Sequence, residues 1–386
     1  MKRHFMLPIF VCCLFLTGCA GLKNIQDLTY IVAIGMDFDE EKDEYTVYLQ
    51  ALNFANVAKQ EGPRPTEPIP IFIATAKGET LNLAVSELYK KSEPPLFFGH
   101  VSTVLLSKRI VTHRFREVIE DIGRNRSLRP TLRVLTTEED ISEVFSIKAL
   151  FNYPAVYTVL FKKNSIELSQ DEIKPMTLMK FLRVYYEPMG LARLPTVRID
   201  KKTWQADKNN PVLYLDGYSI FHNQQFVKDL SLNDSVFINW MLEDRVTLDQ
   251  KVKKDQELLA VIKLATPEMK VNYEEGTDSP KFSIEVSANA DVLEKIKDVP
   301  LQDLKQIIDS DLKKRITSLY QEGVDNKIDI LNVGEKWYRQ QPKKYAELKQ
   351  TKEFYLDKDS LSNVKVDVKI FHFNSYKYDQ RGNGGY

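Results

Sequence analysis

"TYIVAIGMDFDEEKDEYTVYLQAL", residues 29–52, reads as a strand, an acidic turn and a second strand. Tyr30, Val32 and Ile34 alternate with Ile31, Ala33 and Gly35. Tyr45, Val47 and Leu49 alternate with Thr46, Tyr48 and Gln50. Period-two alternation sends successive side chains to opposite faces of a sheet, so the segment predicts a pair of strands.

Downstream the period changes back and forth. Ile71 to Ala76 reads as a third strand, and Leu81, Val85 and Leu88 mark a helix stopped by Pro94-Pro95. Val101 to Leu106 is a strand. Phe115, Val118, Ile119 and Ile122 mark a helix closed by Gly123, "TLRVLT" (131–136) a strand, and "EEDISEVFSI" (138–147) the start of another helix. Between them, the proline-rich "AKQEGPRPTEPIP" is a surface loop. Residues 146–190 read as mostly helical and aromatic-rich, and Pro195 opens the strand "TVRID". The hydrophilic "KKTWQADKNNP", 201–211, is a domain boundary or a long hairpin loop.

The second half begins with a hairpin turning at Asn223-Gln224. "SLNDSVFINWML" is a short helix that Ser231 or Asn233 would cap. Strands follow at "ELLAVIKLA", "EMKVNYE" and "KFSIEVSANADVLE". Leu304, Ile307, Ile308, Leu312, Ile316 and Leu319 share one side of a helix over about 301–321, ended by Gly323. "KIDILNVGEKWYRQQPKKYAEL" is helical with an interruption at Pro342, and "VKVDVKIFHF" is a last strand. The reading predicts an α+β protein: mixed sheets packed with helices, in two to three domains, after a cleaved lipoprotein signal peptide. Its parts are a signal at 1–18, a tether at 19–27, an N-terminal α+β region at 28–200, a C-terminal α+β domain at 211–375 and a polar, disordered tail at 376–386.

At 386 residues the chain is long for a single core. Its formal net charge is zero, which argues against bulk attraction to nucleic acid. All of its cysteines, Cys12, Cys13 and Cys19, lie at the N-terminus, so the body has neither a disulfide framework nor a thiolate metal site. Lys2, Arg3 and His4 precede an apolar run, Phe5 to Leu16, interrupted only by Pro8. That is the layout of a secretory signal, and the run only just reaches bilayer length if stretched to Leu22. It ends in Leu16-Thr17-Gly18-Cys19, which resembles a bacterial lipobox. Cys19 would then be the first mature residue, its sulfur carrying lipid, and the acyl chains would hold the protein at a membrane.

Candidate chemistry is sparse. Asp37, Asp39, Glu41 and Asp43 stand at alternate positions like ligands of a calcium loop, but Lys42 occupies the glycine position, so a solvated hairpin turn is the reading. His100 sits beside aromatics and reads as structural; His113, His222 and His372 are scattered without ligand spacing. There is no nucleophile elbow, P-loop or dinucleotide fingerprint. Arg109, Arg114, Arg116, Arg124, Arg126, Arg129 and Arg133 form one arginine-dense stretch. It reads as a solvated helix face, with a patch for anionic lipid or an acidic partner as the functional alternative.

The set "IQDLTYIVAIGMDFDEEKDEYTVYLQ", "FFGHVSTVLLSKRI", "IGRNRSLRPTLRV", "DGYSIFHNQQFVKDLSLNDSVFINWM" and "IDILNVGEKWYRQQPKKYAEL", in this order after the lipobox, resembles the Ger(x)C lipoproteins. These are the C subunits of nutrient germinant receptors of endospore-forming bacteria. The resemblance implies a lipoprotein on the outer face of the inner spore membrane, anchored through Cys19 and working with the integral membrane A and B subunits. It implies about three α+β domains, no cofactor and no catalytic residues. A small-molecule germinant is an open partner. The alternatives are a solute-binding lipoprotein of an importer, which needs two α/β lobes around a cleft, and an extracytoplasmic hydrolase, which needs convergent polar groups in a pocket.

Overall fold

The computed structural model describes residues 28–52, 70–151, 153–161, 173–206, 209–274, 279–352 and 354–373. The signal, Cys19, the tether, most of the proline-rich loop and the tail at 376–386 lie outside the described residues.

The opening segment is a long hairpin, β1 (Thr29–Asp39) and β2 (Glu44–Leu52), in register from Asp39↔Glu44 outward. Strand β3 (Phe72–Gly78) adds to β2, and helix α1 (Leu81–Lys90) packs back over them. Thr80 caps α1 by accepting the Leu83 amide at 3.2 Å. The short β4 (Leu96–Phe97) lies beside the start of β1. Then come β5 (Thr103–Ser107), α2 (Phe115–Arg124), β6 (Arg133–Thr137), α3 (Ile141–Ser146), α4 (Leu178–Tyr185) and β7 (Ala192–Asp200). The hairpin β8 (Val212–His222) and β9 (Gln225–Leu230) completes a sheet of nine strands. Eight of them run in the order β3-β2-β1-β5-β6-β7-β8-β9, and the ninth, β4, pairs with β1 off this path. The centre, β1 to β7, is parallel, and antiparallel hairpins flank it.

A parallel centre must be covered on both faces. On one face α2 and α4 press Phe115, Phe181 and Tyr185 against Phe221, with Phe115 stacked on Phe221 at 4.1 Å. On the other, α3 and residues 153–161 cover Val32, Leu105, Leu135 and Val197. Gly35 permits the close approach of α3, since a Cβ there would stand 2.3 Å from Ile141 Cγ2. The expected strict alternation of β1 is broken by a bulge between Ile31 and Ala33, which brings Ile31 and Ile34 to the same face.

The loop at 201–211 is a hairpin loop, because Asp200 pairs with Val212 and one sheet runs across it. Asn223 and Gln224 have φ of 48° and 63°, the left-handed pair that matches hairpin twist. Helix α5 (Leu232–Leu242) follows, capped by Ser231 Oγ, which accepts the Asp234 amide. It is buried nearly all round, with Phe237, Ile238 and Trp240 at 0% exposure. It joins the large sheet to a second one, and Trp240 Nε1 donates to Ala265 O at 2.8 Å.

The second sheet has five strands. They are β10 (Leu248–Lys254), β11 (Glu257–Leu264), β12 (Glu268–Tyr273), β13 (Phe282–Lys295) and β14 (Leu361–Phe373). One edge of β13 pairs antiparallel with β11 and β12; its other edge takes β14 in parallel. The crossover to β14 carries α6 (Leu301–Asp325), α7 (Val333–Gln340) and α8 (Pro342–Thr351). Leu304, Ile308, Leu312, Ile316 and Leu319 bury the α6 stripe on the sheet. Pro342 does not interrupt one helix but opens α8, where its missing N–H costs nothing.

Several expectations are corrected. Gly123 lies inside α2, whose C-cap is Asn125, and Gly323 lies inside α6, whose C-cap is Asn326. Gly323 instead gives room to the returning chain, since a Cβ there would meet Ile328 O at 2.6 Å. Among the described residues of 146–190 only Ser146, the last residue of α3, a short turn at Ala155–Tyr157 and α4 are helical. Pro195 stands inside β7, at a register shift of the β7–β8 ladder, where a missing donor is tolerated.

Candidate functional site

The acidic turn is closed on itself and on nearby cations. Asp37 Oδ1 accepts the Phe38 amide at 2.8 Å and Arg109 Nε at 3.0 Å, while Arg109 Nη2 takes Asp37 Oδ2. These bonds hold the Arg109 guanidinium above its usual pKa. Asp39 Oδ1 accepts the Glu41 and Lys42 amides at 3.2 and 3.3 Å, the hydrogen bonding of a turn. Asp43 accepts Arg114 Nη2 at 2.6 Å, and Glu40 lies 2.8 Å from His113 Nε2. Carboxylates committed this way do not converge on a cation. Among the described residues no group of three or more His, Cys, Asp or Glu could hold a metal ion.

The arginine stretch divides in two. Arg109, Arg114, Arg116 and Arg124 each pair with a carboxylate: Asp37, Asp43, Glu120 and Asp121. Arg126, Arg129 and Arg133 pair with none among the described residues. These three lie at the amino end of β6, and two of them enter a cleft.

That cleft has a volume of about 640 Å³. It opens at the amino ends of β1, β5 and β6, between the loops at 98–102 and 125–132 and residues 153–161, and its lining includes Val32, His100, Ser102, Arg129, Arg133 and Thr177. No Asp or Glu lines it among the described residues. Ligands of open α/β sheets usually sit at the opposite, carboxyl, ends of the strands.

Arg133 is the first residue of β6 and is only 8% exposed. Its Nη1 donates to Leu160 O at 3.2 Å, the only hydrogen bond of its side chain among the described residues. The same carbonyl accepts Thr103 Oγ1 at 2.5 Å, so it does not depend on the arginine. Burial pushes the Arg133 pKa down to about 10. Thr177 pairs with Arg133 by an isolated bridge and caps α4.

His100 stands at the rim. It is exposed, its ring 5.2 Å from Tyr30 and 5.8 Å from Phe97, so its packing is aromatic. Leu28, the first described residue, lies at the same end: the Thr29 amide donates to Pro95 O at 3.0 Å. Cys19 itself lies outside the described residues.

The strand "TLRVLT" holds Arg133 as expected, but counting it with a solvated helix face missed its burial in the cleft. The available signal was its position in "TLRVLT", between Leu132 and Val134, which are buried on the opposite face.

Residues 21–199 match the family described as "Spore germination protein N-terminal domain". Residues 216–374 match "Spore germination B3/GerAC like, C-terminal". The chain is 24% identical over 406 residues to spore germination protein KC of Bacillus subtilis (strain 168), covering 96% of this chain and 95% of that protein. It is 23% identical over 229 residues to spore germination protein A3 of the same organism, covering 58% of this chain and 57% of that one. A crystal structure of the GerBC protein shares the fold, with a TM-score of 0.54 at 14% identity, over 88% of this chain and 98% of that one. With both halves matched in order and the fold shared, the chain belongs to the Ger(x)C family of spore germination proteins.

Proposed function

We propose that this chain is a non-catalytic, lipid-anchored subunit of a nutrient germinant receptor. Cys19 holds it on the outer face of the inner spore membrane, where it acts by binding the integral membrane A and B subunits. The observation that carries the reading is Leu16-Thr17-Gly18-Cys19 at the end of a short apolar run, in a chain of a spore germination family. Lipid attachment confines the protein to a thin layer at the membrane and so raises its effective concentration beside integral partners. Support for the anchor's position comes from the fold: the chain enters β1 at one end of the large sheet, after the nine residues 19–27.

The test is the Cys19→Ala variant in sporulating cells. It is expected to leave the membrane fraction and to impair germination with nutrients. Normal retention and normal germination would contradict the reading. Co-purification of the intact protein with neighbouring integral subunits, lost on removal of the receptor's other genes, tests the partner half of the proposal.

A further inference from the structure

We propose that the cleft at the amino ends of β1, β5 and β6 holds the phosphate of an anionic lipid headgroup, with Arg133 as the buried contact and Arg129 as the contact at the rim. The inference rests on the Cys19 anchor proposed above and adds a second, non-covalent contact with the same membrane.

Three observations converge. The first is charge without compensation. Arg133 is 8% exposed, lines the cleft and has no carboxylate partner among the described residues. A buried guanidinium is costly unless an anion or several acceptors meet it, and here one protein carbonyl does. A guanidinium fork fits two oxygens of one phosphate, and Arg129 adds a second cation at the mouth.

The second observation is place. Thr29 pairs with Leu96 of β4, and the next residue, Phe97, packs on the cleft-lining His100, so a lipid on Cys19 is separated from the cleft's end of the sheet by residues 19–27. Nine residues span at most about 30 Å, so the start of β1, at the cleft's end of the sheet, cannot stand farther than that from the headgroup layer. The third is the rim itself. Phe97 is 38% and Tyr157 is 63% exposed, the latter next to the cleft-lining Val156. Exposed aromatic rings suit the boundary between headgroups and water. Free phosphate shares the chemistry, but it accounts for neither the tether exit nor the aromatic rim.

The test uses the full chain in micelles of a neutral detergent, with thermal unfolding as the readout. Phosphatidylglycerol added to the micelles is expected to raise the unfolding midpoint, and phosphatidylcholine to leave it unchanged. Arg133→Met and Arg129→Ala should each weaken the phosphatidylglycerol effect about tenfold in the lipid concentration required. Arg129→Ala alters an exposed side chain, so it carries the test if Arg133→Met fails to fold. Equal effects of the two lipids, or unchanged lipid dependence in the variants that fold, would overturn the proposal. Stabilisation by inorganic phosphate matching that by phosphatidylglycerol would also overturn it, in favour of a soluble anion. Failure here leaves the anchor proposal standing, because that is read separately, from the membrane retention of Cys19→Ala.

Discussion

The two ends of β1 carry opposite solutions to charge. At its carboxyl end, Asp37, Asp39 and Asp43 and the arginines facing them are matched donor to acceptor. At its amino end the cleft holds Arg133 and Arg129 with no carboxylate among the described residues. A count of charges treats the two alike. The difference is partnership: the first arrangement is complete within the fold, and the second leaves cationic groups facing a cavity. A third ionisable group, Asp329, is hydrogen-bonded within the core. It is 2% exposed, yet its two oxygens accept the Val333 and Glu335 amides at 2.9 Å each, capping α7.

The comparison predicts a ladder of stability effects, measured by urea unfolding. Asp329→Ala stands at the top, because it strands two amide donors at the start of a buried helix; about 2–4 kcal/mol should be lost. Asp37→Ala comes next, at about 1–2 kcal/mol, since it removes a two-point acceptor but leaves Arg109 able to reach water. Arg133→Met should cost nothing measurable or stabilise slightly, because it removes a buried cation that has no carboxylate partner among the described residues. Arg116→Ala, at an exposed pair with Glu120, should fall within about 0.5 kcal/mol of the parent. A large loss for Arg133→Met, equal to that of Asp37→Ala, would break the distinction between the two ends.

The pH dependence sharpens the same point. Burial raises the Asp329 pKa to about 7 against the opposing pull of its backbone amides. The folded state therefore binds this proton more tightly than the unfolded chain does. The stability from this group is complete below about pH 4 and is lost as pH rises through about 7. Asp329→Asn should flatten that decline while lowering stability by about 1–3 kcal/mol, since its amide nitrogen cannot accept a backbone N–H. An unchanged slope in the variant would assign the pH dependence to other groups.

Much of the architecture was legible because it follows from local pattern. The hairpin at 29–52, the Asn223-Gln224 turn, the Ser231 cap and the α6 stripe all rest on near neighbours in sequence. What was missed depends on distant contacts. The bulge in β1 arises where both faces of the strand are covered, so periodicity alone does not reveal it. Of the aromatics of 146–190, Phe161 enters a core from a turn, Phe181 and Tyr185 do so from the short α4, and Phe151 and Tyr157 are exposed, so a helical reading of the whole stretch was too regular. Strand β10, "LDQKVKK", escaped notice because only Leu248 and Val252 are buried in a lysine-rich stretch. The cleft was illegible for the same reason: its lining joins residues 32, 100, 129, 133 and 177, which only the sheet brings together. The signal for the anchor, by contrast, is wholly local, in the four residues ending at Cys19.

The central claim is that Cys19 fixes this chain to the membrane, and the mature N-terminus tests it most directly. Intact-mass and peptide mass spectrometry of the protein recovered from spore membranes should show a chain lacking residues 1–18, whose first residue is a lipid-modified Cys19. A chain that keeps residues 1–18, or one with an unmodified Cys19 thiol, would contradict the account.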